Sequence, residues 1–405
     1  MEALRLLLVF VVIIIALRLK VPVGLTLFGA GFITALLYKI PLLDILIIYK
    51  DLLLSERFIL LTLLVIQITF IGGLMKELKY LDKLLAACML LPGGAKTAVP
   101  AIPALIGFMP MPGGSLMSAP LVDGILKDGK YKPEFKLVAN YWFRHQVEFF
   151  WPVYAGLILT EAITGLPLIK VSIMQLPFSI FIVVIGYFFF IRKITNDSND
   201  KASLPKALYG IVITVWPILL AIFLYGVFKI EMTLSLLISL LSMIAVTRPK
   251  LANYKYPLKK ALSIGTVFLI YGILSFQQVL EASGAIESIP KLAIELQLPS
   301  AVIVFLVCFI IGMLTGMVSA YVGLGYAFLA GFLYQNGLNP SLIMLGYLSG
   351  FVGIMLSPAH VCLIVTNQYF KSELSQVYKV ILAPITILFI LGTILTLTPW
   401  PDLFK

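Results

Sequence analysis

Arg144, His145 and Glu148 lie within five residues of one another in the otherwise apolar stretch "NYWFRHQVEFFWPVY", Asn140–Tyr154. A charged side chain at the centre of a hydrocarbon layer costs about 2.5–3.5 kcal/mol on insertion scales, so such clusters are paired, hydrated or functional. Two readings of Arg144 stand side by side. Its planar fork can anchor a carboxylate through two parallel hydrogen bonds. It can also simply neutralise Glu148, four residues on and on the same helix face. Imidazole is the side chain suited to carrying protons near neutral pH, so His145 is either a proton carrier or a ring hydrogen-bonded inside a helix bundle. The other histidine, His360, follows Ser357-Pro358 in "LSPAHVCLIVTNQYF", Leu356–Phe370, with Thr366 and Asn367 further along. Ser357 and His360 are placed to face a cavity.

Two further sets of residues sit where helices cannot continue. Met109-Pro110-Met111-Pro112-Gly113-Gly114-Ser115 puts two prolines and two glycines at the middle of an apolar stretch. If a helix resumes at Ser115, its free amides and positive dipole end favour an anion, making Gly113, Gly114 and Ser115 candidate substrate contacts. The bland alternative is a kink without a ligand. Thr315, Gly316 and Ser319 form a second interruption. Carbonyls released there and at the helix breaks suit Na⁺, a hard cation seeking oxygen. Thr160, Thr315, Gly316, Thr366 and Asn367 are the candidate ion-coupling residues, with Ser319 beside the substrate. Small residues for close helix packing explain the second set equally well. The cysteines, Cys88, Cys308 and Cys362, are far apart in sequence. Without CxxC or Cys/His ligand spacing, neither a zinc site nor a disulfide framework is indicated.

The elements that must position these residues are membrane helices. Of 405 residues, 61% are hydrophobic and only 12% charged, against roughly 45–50% and 25% in a soluble domain. Apolar runs near 3–18, 22–39, 57–75, 171–191, 206–229, 232–247, 260–275 and 375–398 are long enough, or nearly so, to span about 30 Å of hydrocarbon. The first run lacks a small-residue cleavage pattern and reads as a retained helix. Four more stretches are apolar but interrupted. Those at 98–127 and 299–334 read as re-entrant hairpins. Those at 140–163, broken around Trp151-Pro152, and 340–369, broken at Gly353–Pro358, read as broken spans. Ser357-Pro358 resembles an N-cap followed by proline at the first helical position.

Interrupted segments come in pairs. "IGFMPMPGGSLMSAPLVDG" from Ile106 lies opposite "IGMLTGMVSAYVGLGYAFLAG" from Ile311, and "WPVYAGLILT" from Trp151 opposite "SPAHVCLIVT" from Ser357. Gly107 pairs with Gly312, Pro152 with Pro358 and Thr160 with Thr366, at an offset constant to within one residue. The chain therefore reads as an all-α polytopic membrane protein of two inverted-topology repeats, 1–191 and 207–405, joined by a cytoplasmic linker at 192–206. Each repeat carries one re-entrant hairpin and one broken transmembrane helix, giving about ten full crossings plus two hairpins. Amphipathic connectors at Lys76–Leu90 and Gln277–Leu296, the latter with Glu281, Glu287 and Glu295, lie on opposite surfaces. With this topology most of the 30 Lys and Arg fall on one side, which is then cytoplasmic, with both termini outside. The net charge of +11 is accounted for by that bias, and nucleic acid is not an expected partner.

These segments resemble those of the ion transporter superfamily, which includes dicarboxylate, citrate, gluconate and lactate permeases and some sodium/proton antiporters. Asn140–Tyr154 and Leu356–Phe370 are similar above all to an uncharacterised prokaryotic membrane family within it. The resemblance covers nearly the whole chain. It implies an elevator mechanism, a homodimer, a prokaryotic plasma membrane location and coupled movement of a small organic anion driven by Na⁺ or H⁺. The dicarboxylate branch carries Ser-Asn-Thr at each hairpin tip; here the first tip reads Gly113-Gly114-Ser115, and the second has no match. A cation/proton antiporter is the alternative within transport. An intramembrane enzyme is not indicated, since there is no HExxH and no pair of intramembrane aspartates. No cofactor is expected beyond Na⁺.

Overall fold

A computed structural model describes residues 2–108, 114–127, 130–195, 203–285, 297–334 and 337–404. Gly113, with both prolines of the first tip, lies outside the described residues, as do Glu287 and Glu295 of the second connector and the middle of the linker. The regular elements that position the site are helices. Six are long and apolar enough to cross a membrane: Glu56–Glu77, Leu168–Lys193, Leu204–Phe228, Ala252–Ala282, Pro340–Phe370 and Leu374–Thr396. Several shorter apolar helices accompany them. The protein is an integral membrane protein.

In chain order the first half contains α1 (Glu2–Arg18), α2 (Val23–Leu37), α3 (Leu42–Leu54), α4 (Glu56–Glu77) and the short amphipathic α5 (Tyr80–Cys88). There follow α6 (Gly94–Gly107) and α7 (Gly114–Ile125), which pack against each other as a helical hairpin, then α8 (Pro133–Arg144), α9 (Ala155–Thr164) and α10 (Leu168–Phe189). The second half contains α11 (Leu204–Phe228), α12 (Met232–Thr247), α13 (Ala252–Ala261) and α14 (Ile264–Ala282). After these come α15 (Ser300–Thr315), α16 (Val318–Leu333), α17 (Pro340–Leu356), α18 (Val361–Phe370) and α19 (Leu374–Thr396).

Local chemistry sets the ends. Ser55 caps α4 by accepting from Phe58 N at 3.2 Å, Ser263 caps α14 through Thr266 N at 3.2 Å, and Asn339 caps α17 through Leu342 N at 3.1 Å, with Pro340 first in the helix. Several helices close on a basic residue in the left-handed conformation instead of glycine: Lys229 after α11, Arg248 after α12 and Lys371 after α18. A cation there complements the negative helix end, and its long stem reaches toward water.

The packing separates two groups. α2 lies along α14, α4 against α12 and α13, and α11 against α5 and α12. The hairpin α6–α7, the α8–α9 segment, α10, α15–α18 and α19 form the other group, with α15 along α17 and α7 between α8 and α18. Most of the described side chains singled out from the sequence are buried in this second group, with Thr315 and Asn367 half-buried. Within α16, Gly323-Leu324-Gly325 does not stop the helix. The helix continues through a wider π-helical turn, Tyr321–Tyr326, so the true interruption of that arm is at Gly316.

Candidate functional site

Both segments are interrupted, the first from His145, ahead of Trp151-Pro152, and the second from Ser357, with Gly353 still inside the helix. α8 ends at Arg144 and His145 is its C-cap. The chain then tightens into a 3₁₀ turn, Gln146–Phe149, passes Trp151-Pro152 and resumes as α9 at Ala155. α17 ends at Leu356, and Ser357 is its C-cap, not the N-cap of the next helix. Pro358 lies between the helices, and α18 starts only after His360, whose carbonyl accepts from Ile364 N at 3.0 Å. The Ser357 hydroxyl holds the turn itself, accepting from Ala359 N at 3.1 Å. The expected cap thus moves three residues on, because Ser357 closes a tight turn instead, its hydroxyl accepting from Ala359 N and its carbonyl from His360 N at 3.2 Å.

The two breaks meet. His145 Nε2 and His360 Nε2 are 3.0 Å apart, and both rings are buried. The far nitrogen of each ring is held by backbone: His145 Nδ1 lies 2.7 Å from Tyr141 O, and His360 Nδ1 lies 2.6 Å from Gly316 O. Gly316 closes α15 at φ +61°, and a Cβ there would lie 2.6 Å from His360 Cα. A glycine is required both for the left-handed turn and for this approach. The second interruption therefore touches the second break directly. Cys362 completes the group: its sulfur and the two histidines' donor nitrogens all lie within 4.8 Å of one another.

Arg144 is 2% exposed. Its Nη1 donates to Tyr154 OH at 2.8 Å and to Glu148 Oε1 at 3.4 Å, and the Tyr154 hydroxyl in turn donates to Gly107 O at 2.5 Å. Glu148 Oε1 is also 3.9 Å from His145 Nε2. The guanidinium lies against the start of α7, where a Cβ on Gly114 would come 2.8 Å from Arg144 Nε. Arg144 and the amino end of α7 thus concentrate positive potential at the described edge of the first tip.

Ser115 joins the first hairpin to the second broken segment. Its hydroxyl donates to Cys362 O at 3.0 Å, and Thr366 Oγ1 sits 2.9 Å from Ser115 Oγ and 2.6 Å from Cys362 O. Asn140 Nδ2 donates to Ser115 O at 2.7 Å, while Asn140 Oδ1 is buried without a hydrogen-bond partner among the described residues. Lys136 pairs with Asp123 at 2.7 Å and ties α8 to α7.

The fold therefore assembles Gly114, Ser115, Arg144, His145, Gly316, His360 and Thr366 in one buried region. It does not bring in every candidate. Thr160 Oγ1 turns back to Gly156 O at 2.8 Å and Thr315 Oγ1 to Ile311 O at 2.7 Å, each within its own helix. Ser319 is buried on the arm after Gly316, and the half-buried Asn367 has its side-chain oxygen without a hydrogen-bond partner among the described residues. Three participants are missed by the sequence reading: Asn140, Tyr154 and Cys362. Their partners are distant in sequence or are backbone groups, so no local motif announces them. The absence of Cys/His ligand spacing along the chain is overridden by folding, which sets His145 beside His360 and Cys362.

No curated protein matches the chain. One protein family does, over residues 2–398, under the description "Protein of unknown function (DUF401)". Since the match takes in nearly the whole chain, including both breaks and their helical pairs, the chain belongs to the DUF401 family.

Proposed function

We propose that the protein is an elevator-type secondary active transporter of the ion transporter superfamily that moves a small organic anion coupled to Na⁺ or H⁺. One observation carries the reading: two interrupted helices, α8–α9 and α17–α18, meet break to break inside the bundle at His145 and His360, each accompanied by a helical pair. Interrupted backbone in lipid needs protein or a cavity around it, and paired interruptions in two halves mark the substrate region of many transporters. A protein with only a structural role has no need of two such sets.

The element contacts support two inverted repeats, 1–191 and 207–405. If α2 corresponds to α12, α3 to α13 and α4 to α14, then α2 against α14 becomes α12 against α4. Likewise α3 against α14 becomes α13 against α4. Both members of each pair are present. On this reading each half holds one re-entrant hairpin, the total is about ten crossings, the termini lie outside a prokaryotic plasma membrane, and the protein is a homodimer.

The anion is a carboxylate, held between Arg144 and the amino end of α7 at Gly114 and Ser115. The coupling ion sits at oxygens around Gly316 and Thr366. A cation/proton antiporter is favoured instead by the proximity of Glu148 to the histidine pair. Flux of radiolabelled mono- and dicarboxylates into proteoliposomes, with and without imposed Na⁺ and H⁺ gradients, tests both. Gradient-driven carboxylate accumulation is the expected result. Cation/proton exchange without carboxylate movement selects the antiporter, and no flux of either kind removes transport.

A further inference from the structure

The contact between the two histidines calls for a cation, a metal ion or a shared proton, between the rings. A carbonyl oxygen can only accept. His145 Nδ1 faces Tyr141 O and His360 Nδ1 faces Gly316 O, so both Nδ1 atoms carry the proton. In neutral rings both Nε2 atoms are then lone pairs, and they point at each other across 3.0 Å. Two facing lone pairs in a buried site repel unless a cation lies between them.

The third group nearby selects the kind of cation. Cys362 Sγ lies within 4.8 Å of a ring nitrogen of each histidine, and all three residues are buried. Two imidazoles and a sulfur form a donor set for a borderline-to-soft metal ion, unlike the all-oxygen sets of Na⁺ or Mg²⁺. Tetrahedral zinc with Zn–N bonds of about 2.0–2.1 Å separates two nitrogen ligands by roughly 3.3–3.4 Å, so the pair needs to open by only a few tenths of an ångström. The outer-shell arrangement is also that of a metal site: each imidazole is oriented by an Nδ1–H to carbonyl bond. Glu148 brings a carboxylate to 3.9 Å from His145 Nε2, and its Oε2 is buried without a hydrogen-bond partner among the described residues. It is available as a fourth ligand or as a counter-charge.

We propose that His145, His360 and Cys362 form a zinc(II) site that joins the break of the first half to the break of the second. Binding forms two Zn–N bonds and one Zn–S bond, and the thiol proton of Cys362 leaves to solvent. The assignment rests on donor geometry alone and does not depend on the transport reading.

The test uses the full chain, purified in detergent with a tag that contains no histidine, stripped with chelator and titrated with zinc(II) and, as a spectroscopic probe, cobalt(II). One ion per chain is expected, with a thiolate-to-cobalt charge-transfer band that Cys362→Ser abolishes. His145→Gln and His360→Gln should each weaken zinc binding by at least the roughly 10–100-fold typical of losing an orienting outer-shell partner. Folding is followed by gel filtration and helical circular dichroism. If the variants do not fold, X-ray absorption on the zinc-loaded wild-type chain decides, with two imidazoles and one sulfur as the expected first shell. A wild-type chain that binds no zinc, or binds it through other ligands, overturns the proposal and leaves the nitrogen pair as a site for a shared proton only.

Discussion

Arg144 is the residue on which the two sequence readings diverge, and its surroundings now allow them to be separated. It reaches Glu148, as the spacing of four predicts, but its shorter bond is to Tyr154, which the same motif does not announce. Replacing Arg144 alone leaves Glu148 as a buried charge without its ion-pair partner, a change that costs about 3–5 kcal/mol in comparable sites. Arg144→Ala should therefore lower the thermal midpoint as well as stop flux. Arg144→Ala with Glu148→Gln should recover much of the stability. If Arg144 binds the transported carboxylate, the double variant remains without flux, and Arg144→Lys fails to restore it for want of a planar fork. Recovery of flux in the double variant would leave neutralisation as the sole role. Gly114 provides a gentler probe. A methyl at Gly114 comes within 2.8 Å of Arg144 Nε, so Gly114→Ala should displace the guanidinium and raise the KM for the anion several-fold with little loss of stability.

At the scale of elements, interruptions are readable from sequence because proline and glycine act locally, whereas their partners are not. Gly316 and Pro358 stop helices by their own backbone chemistry, wherever the chain then goes. That Gly316 O would meet His360, or that Ser115 would share the Cys362 carbonyl with Thr366, depends on packing between residues more than forty apart in one case and more than two hundred in the other. The cap of α18 falls three residues beyond the expected one because the Ser357 hydroxyl and carbonyl close a turn over Ala359 and His360 before the helix begins. Gly316→Ala tests the turn: φ +61° and the contact with His360 should together cost about 1–3 kcal/mol, read as a lower thermal midpoint. The two helical pairs should also open to opposite membrane faces. Exposed positions beside each, Lys130 after α7 and Leu298 before α15, can be changed singly to cysteine and treated with a membrane-impermeant maleimide. Lys130→Cys should react only from the cytoplasm and Leu298→Cys only from outside. Reaction of both from one face would remove the inverted topology.

The whole molecule divides into a group built on α2, α4 and α11–α14 and a group containing both interrupted segments, and this division gives the mechanism its sharpest test. On the elevator reading the second group moves as a unit across the membrane while the first stays in place, which fits a site whose contacts, Ser115 to Cys362 and His145 to His360, lie wholly inside the moving group. Composition can predict the membrane; it cannot say which helices pack together, because that is set by which apolar faces meet. Elements touch across the two groups, among them α5 against α6, α14 against α16 and α4 against α9. One such bridge is Arg57 of α4, which donates to Ala162 O of α9 while also bonding, at 3.0 Å, Gln277 Oε1 of α14 within its own group. Cysteines at Arg57 and Ala162 joined by a short bis-maleimide should fix the moving group in the position described here. The expected outcome is loss of flux that returns when a cleavable linker is cut, with zinc binding at His145, His360 and Cys362 unchanged because no ligand is strained by the tether. A linked protein that transports at the normal rate would mean that α9 does not move relative to α4. Structures of the linked chain and of one trapped facing the opposite side then measure the depth of Gly114 and Gly316 against α2 and α14. Displacement of both tips together is the elevator; unchanged depth with only local rearrangement near the breaks is a gate, and the two groups are then a single rigid body.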